Sequence, residues 1–144
     1  MDDSTSALPS VIPYLLYEDA AAALTWLTSA FGFVETLRVP DADGRVTHAE
    51  LRAGDGVVML GQPSEGYRSP NATGHRSQYV MVTVDDVDAH CARAQSVGAA
   101  IVSPPEDQPY GDRMYAVDDL EGQRWFFSQP IRATAPEEWG AVRA

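Results

Sequence analysis

The chain of 144 residues contains a single cysteine, Cys91. One thiol cannot form an internal disulfide, so a small stapled fold is excluded and a reducing, cytoplasmic setting is expected. No apolar run approaches the ~20 residues that a membrane span needs. Met1 to Ser10 is polar and lacks a basic segment, which argues against a secretory leader. Basic residues are also scarce: ten Lys and Arg against 21 Asp and Glu give a net charge of −11. A polyanion would be repelled overall, so no nucleic-acid partner is expected, whereas a cationic ligand would be attracted. The same charge also serves solubility alone. A Ser/His/Asp constellation, a phosphate-cradling glycine loop and zinc-type spacing are all missing.

Hydrophobic and charged fractions of 44% and 22% are ordinary for a globular protein. The length suits one domain, residues 1–144. Within it the sequence repeats itself about 66 residues apart. Asp19 opens an Ala/Leu-rich run that Gly32 closes, and Asp86 opens a similar run that Gly98 closes. Gly32 to Gly56 and Gly98 to Gly122 are both 24 residues, since 56 − 32 = 122 − 98 = 24. A repeat of this length is a duplicated supersecondary unit. The periodicity predicts strand, helix and three strands in each copy: module one at 11–61, a Pro/Ser/Gly/Asn-rich linker at 62–77, module two at 78–128 and a tail at 129–144.

In module one, Val11–Tyr17 reads as a strand. Asp19 caps a helix whose stripe is Ala20, Ala23, Leu24, Leu27 and Phe31, and Gly32 supplies the left-handed end. Strands follow at 33–40, 45–52 and 56–61, the first two joined by an Asp-Gly hairpin turn at 41–44. Module two repeats the plan. A strand at 78–84 precedes a helix capped by Asp86, with Val87, Cys91, Ala94 and Val97 inward. Strands at 99–103, 113–118 and 123–128 complete it. Three prolines in 103–112 are expected to keep that segment out of any ladder, as a loop and plausible lid. Pro136 and Glu137 mark the start of a short tail helix over 137–142. Cys91 reads as a small core hydrophobe, and His90 as a surface residue.

The element order, the Val84-Asp85-Asp86-Val87-Asp88 helix entry and the His48-Ala49-Glu50-Leu51 strand resemble the glyoxalase/bleomycin-resistance/dioxygenase superfamily, the vicinal oxygen chelate fold. So do Tyr110-Gly111-Asp112-Arg113 and Asp119-Leu120-Glu121-Gly122-Gln123-Arg124-Trp125. The resemblance covers residues 11–129. It implies an α+β fold of two tandem βαβββ modules, a curled mixed sheet around a cleft with helices outside. It also implies that enzymes of the superfamily hold a divalent metal in that cleft through His, Glu or Gln on the first and last strands of each module. Carried over by position, those ligands fall on Ile12, Leu60, Tyr79 and Phe126, none a usual ligand type. A slip of one residue offers only Gln78 as a donor. No metal or other cofactor is therefore expected.

Strand alternation then lines the cleft with Tyr14, Leu16, Tyr79, Met81, Thr83, Arg124, Phe126 and Ser128. Such a wall is either a small-molecule pocket or a filled interior. The candidate ligand-binding residues are Tyr14, Tyr79, Met81 and Phe126, with His48, Tyr110 and Arg113 at the rim. Arg113 has a competing role, pairing with a neighbouring acid. By resemblance to the metal-free antibiotic-binding members, the expected function is sequestration of a planar or cationic ligand such as an antibiotic, by a homodimer. The alternatives are an enzyme with a nonstandard site around His48 and Glu50, and a noncatalytic accessory domain.

Overall fold

Asp19 and Asp86 each turn from extended backbone into a helix, and each accepts a hydrogen bond from the N–H three residues on: Ala22 N and Ala89 N, both at 3.0 Å. These caps satisfy orphan donors at the starts of α1 (Ala20–Phe31) and α3 (Val87–Ser96). The computed structural model describes residues 8–144; the first residues of the polar start, 1–7, lie outside that range. Around the helices run β1 (Tyr14–Leu16), β2 (Val34–Pro40), β3 (Val46–Ala53) and β4 (Gly56–Gly61), then β5 (Tyr79–Thr83), β6 (Ala100–Asp107), β7 (Asp112–Asp118) and β8 (Arg124–Pro130). A single turn of helix, α2 (Pro70–Thr73), lies in the connection between the halves.

The strands form two four-stranded sheets of identical topology, β1-β4-β3-β2 and β5-β8-β7-β6, each with one parallel and two antiparallel pairings. This is the duplicated α+β architecture. The internal correspondence is also visible in a pair of glutamines. Gln62 accepts from Ala20 N and Gln129 from Val87 N, each at 3.0 Å. Their separation, 129 − 62 = 67, equals that of the caps, 86 − 19 = 67.

Neither half closes a core alone. Phe31, at the end of α1, packs edge-on against Trp125 and Phe127 of β8 at 5.4 and 4.7 Å between ring centres. Gly32 follows in the left-handed region (φ 72°), and a Cβ there would meet the Arg93 guanidinium at 2.8 Å. The absent side chain lets Arg93 donate to the Ser29 and Thr28 carbonyls, at 2.9 and 3.2 Å, tying α3 to the end of α1.

A buried polar bridge joins the halves on the other side. Asp119 Oδ1 accepts from Glu121 N and Gln123 N, both at 3.0 Å, and Oδ2 accepts from Tyr17 Oη (2.6 Å) and Trp125 Nε1 (3.1 Å). Glu121 in turn accepts from the Glu18 and Asp19 N–H groups at the start of α1. Burial holds both carboxyls above the usual range against these donors.

Besides the first strand, which shortens from the expected 11–17 to Tyr14–Leu16, five expectations from the sequence need correction. β6 runs through Pro104 and Pro105 to Asp107 instead of ending at 103. It is an edge strand, and the prolines occupy the shift in register between Ser103 and Glu106, where no ladder hydrogen bond is forfeited. The expected loop at 103–112 therefore shrinks to a turn at 108–111. Val97 is 45% exposed, because it terminates α3 and does not lie on its stripe. The tail forms a 3-10 turn at Pro136–Trp139 without a side-chain cap. Leu60 pairs with Leu15 and is fully buried on the helix side. The connection at 119–123 is longer than the Gly54-Asp55 turn, so counting from the glycines misplaces β4 by one residue.

The fifth correction concerns His90, which is half-buried between the halves and not on the surface. Nε2 donates to the Phe31 carbonyl at 3.0 Å, so Nδ1 is the acceptor for the Tyr115 hydroxyl at 2.6 Å. Burial, opposed by the Phe31 bond and assisted by the Arg93 charge, depresses its pKa. A depressed pKa stabilises the fold above the unfolded value of about 6.5, and that stability is lost as pH falls through the folded value. Urea midpoints should decline as pH falls below about 6.5, and His90→Gln should flatten that decline.

Candidate functional site

The strand faces turned away from the helices are open. On the first sheet, Tyr14 pairs in register with Met59, and His48 with Gly61. A Cβ at Gly61 would stand 2.7 Å from the Tyr14 ring. Glycine lets that ring lie across β4 and bring its hydroxyl within 2.7 Å of His48 Nδ1. Glu50, two residues along β3 and on the same face, lies 2.9 Å from His48 Nε2. A carboxylate only accepts, so Nε2 carries the proton and Nδ1 accepts from Tyr14. Tyr14, His48 and Glu50 thus form a hydrogen-bonded row in which both ring nitrogens are engaged.

On the second sheet, Tyr79 and Met81 flank Phe126. The Tyr79 and Phe126 rings are 5.0 Å apart at 52°, and Met81 is paired with Phe126 in register. Tyr79 and Met81 are 60% and 59% exposed, unusual for large apolar side chains on a strand. The complementary residues Trp125 and Phe127 are fully buried beneath the helices, as alternation requires. The two faces meet at a cavity of about 410 Å³ between residues 11–14 and 78–81, which Ile12, Tyr14, Tyr79 and Met81 help to line.

The structure therefore brings together Tyr14, Tyr79, Met81 and Phe126, with His48 attached through Tyr14. Tyr110 lies farther along the second sheet, donating to Met114 Sδ at 3.7 Å and edge-on to Trp139. Arg113 lies apart from the group. On β7 it alternates with Met114 and shares the helix side with Tyr115, bonding Asp88 of α3 at 3.0 Å and Asp107 of β6 at 2.9 Å. These acids raise its pKa and give it the competing, structural role. Met59, which replaces Leu60 on the open face, was reachable from the sequence through the 67-residue interval of the caps.

The residues at the family's ligand positions do not fit a divalent metal. With the register corrected, they are Ile12, Met59, Tyr79 and Phe126. One thioether and one phenol are a poor donor set for Mn, Fe, Ni or Zn. Among the described residues, no three His, Cys, Asp or Glu side chains converge. His48 and Glu50 use their facing atoms on each other.

The family model described as Glyoxalase/Bleomycin resistance protein/Dioxygenase superfamily matches residues 10–127. The chain is 41% identical to TioX from Micromonospora sp. ML1, over 85% of this chain and 99% of that one, with a TM-score of 0.71. It is 38% identical over 135 residues to the uncharacterized protein Rv0887c of Mycobacterium tuberculosis, covering 90% of this chain and 79% of that protein. TnmS3, an antibiotic binding protein from Streptomyces sp. CB03234, shares the fold at 24% identity and a TM-score of 0.65, over 86% and 98% of the two chains. The chain belongs to the Glyoxalase/Bleomycin resistance protein/Dioxygenase superfamily.

Proposed function

We propose that this protein binds and sequesters a planar, partly apolar small molecule, such as an antibiotic, without metal and without catalysis. The carrying observation is the open apolar surface of Tyr14, Tyr79 and Met81 at one cavity, with Phe126 packed against Tyr79. Aromatic faces of this kind stack on flat rings and gain about 0.5–1.5 kcal/mol per contact beyond burial. Gln78 and the Tyr14 and Tyr79 hydroxyls supply polar edges, with His48 behind Tyr14. TnmS3, which has the same fold and is described as antibiotic binding, supports the reading by analogy. Intrinsic fluorescence titration with a panel of aromatic antibiotics and metabolites tests it. At least one should saturate the wild type and bind Tyr79→Ala several-fold more weakly; unchanged binding removes Tyr79 from the site.

The exposed strand faces also favour a homodimer, in which a second copy completes the wall around the ligand. Sedimentation at micromolar concentration should give twice the 15.6 kDa chain mass; a monomer at that concentration contradicts it. No described helix is long and apolar enough to cross a membrane.

One observation favours a second reading, an enzyme of the superfamily with a nonstandard site. The Tyr14–His48–Glu50 row could accept a substrate proton at the histidine if Tyr14 swung aside. Turnover of any panel compound that His48→Ala abolishes would favour this reading over sequestration.

A further inference from the structure

A second cavity, of about 330 Å³, opens beside the first. Tyr14 and Leu16 line one side, and Tyr67, Arg68, His75 and Arg76 of the connection between the sheets line the other. Its charge runs against that of the chain. Arg76 donates to the Gly122 carbonyl at 3.0 Å and approaches Asp118 Oδ2 at 3.4 Å. Arg124 already holds that carboxylate through two bonds, at 2.8 and 3.1 Å. Two guanidiniums thus share one carboxylate. Arg68 acts on Glu18, and Glu18 is already held by Ser69 N–H at 2.8 Å. Among the described residues Arg68 makes no salt bridge within 4.0 Å. Behind Tyr67, Asp119 and Glu121 direct their oxygens to internal donors.

The net charge of −11 does not decide what binds here. Charges beyond about 8 Å are largely screened at physiological salt, so the local groups decide. Glu18, Asp119 and Glu121 act on Tyr67 from behind the wall, while the charged side chains that line the cavity itself are Arg68, His75 and Arg76. Arginine is also the side chain best shaped to receive a planar oxyanion. The basic cavity and the aromatic cavity share Tyr14 and Gln78 as a common wall. An aromatic ring lying on Tyr14 and Tyr79 would therefore present a substituent at Arg68, His75 and Arg76.

We infer that this second cavity is an anion subsite, and that the ligand is an aromatic acid whose carboxylate enters it while its ring occupies the aromatic faces. The inference rests on the binding function proposed above and adds the ligand's charge, reversing the cationic ligand that the overall composition suggests.

Isothermal titration with three matched probes tests it: naphthoate, neutral naphthamide and naphthylmethylammonium. At low salt, naphthoate should bind about tenfold more tightly than the amide, the worth of one charge-assisted hydrogen bond, and the ammonium should bind most weakly. Added salt should erode the preference. Arg68→Gln and, separately, Arg76→Gln should each remove most of it, with the acid losing more affinity than the amide. Arg76 also anchors Gly122, so the exposed Arg68→Gln variant and the salt series keep the test valid if Arg76→Gln folds poorly. Equal binding of acid and amide, tighter binding of the ammonium, or a preference that survives both substitutions overturns the anion subsite alone. Failure of all three probes while a compound of the panel saturates the protein overturns the subsite for aromatic acids alone; failure of probes and panel alike overturns the aromatic-face function as well.

Discussion

Asp119→Ala is expected to lower the unfolding free energy by about 3 kcal/mol or more, from two or more buried donors left without an acceptor. Four donors converge on this carboxylate, and two of them belong to Tyr17 and Trp125, whose side chains are fully buried. A single water in the space left by the carboxylate accepts from at most two of the four donors, so at least two stay unpaired. Asp119→Asn keeps one acceptor oxygen but turns an amide N–H₂ toward existing donors, so its loss should fall between wild type and alanine. Urea unfolding at constant pH measures both. A change below about 0.5 kcal/mol for the alanine variant, the size of an ordinary surface substitution, would show that the bridge carries no stability.

Removing both rings with Tyr79→Ala and Phe126→Ala should weaken binding of the planar ligand by about a hundredfold. Each ring contributes stacking and apolar contact of about 1.4 kcal/mol, which is a factor of ten. The rings touch one another at 5.0 Å, so the hundredfold is the value for independent rings, and the double-mutant cycle measures their coupling as the deviation from it. Thermal melts should accompany the titrations, because Phe126 is half-buried. A double variant that folds normally and binds like wild type would exclude the second sheet from the site.

Much of the fold could be read from local signals. The Asp caps, the Gly32 terminus and the α1 stripe follow from short-range rules, and the structure reproduces them. The burial of Trp125 and Phe127 opposite exposed Tyr79 and Met81 follows from strand alternation. Features requiring knowledge of neighbouring strands were not legible. The prolines of β6 are tolerated because that strand is an edge, which depends on sheet order. Arg113 turns to the helix side because Asp88 and Asp107 meet it there. His90 is apolar in its surroundings only because Phe31 and Phe127, both distant in sequence, close over it. The Tyr14–His48 contact needs Gly61 beneath the ring, a relation that no single segment encodes.

Titration of chelator-treated protein with the tightest compound from the panel tests most directly whether aromatic surface, rather than a metal centre, holds the ligand. The affinity should be the same before and after treatment, unchanged by added Mn, Fe, Ni or Zn, and reduced by Tyr79→Ala. Binding that disappears with the chelator and returns with one of these ions would contradict the account at its centre.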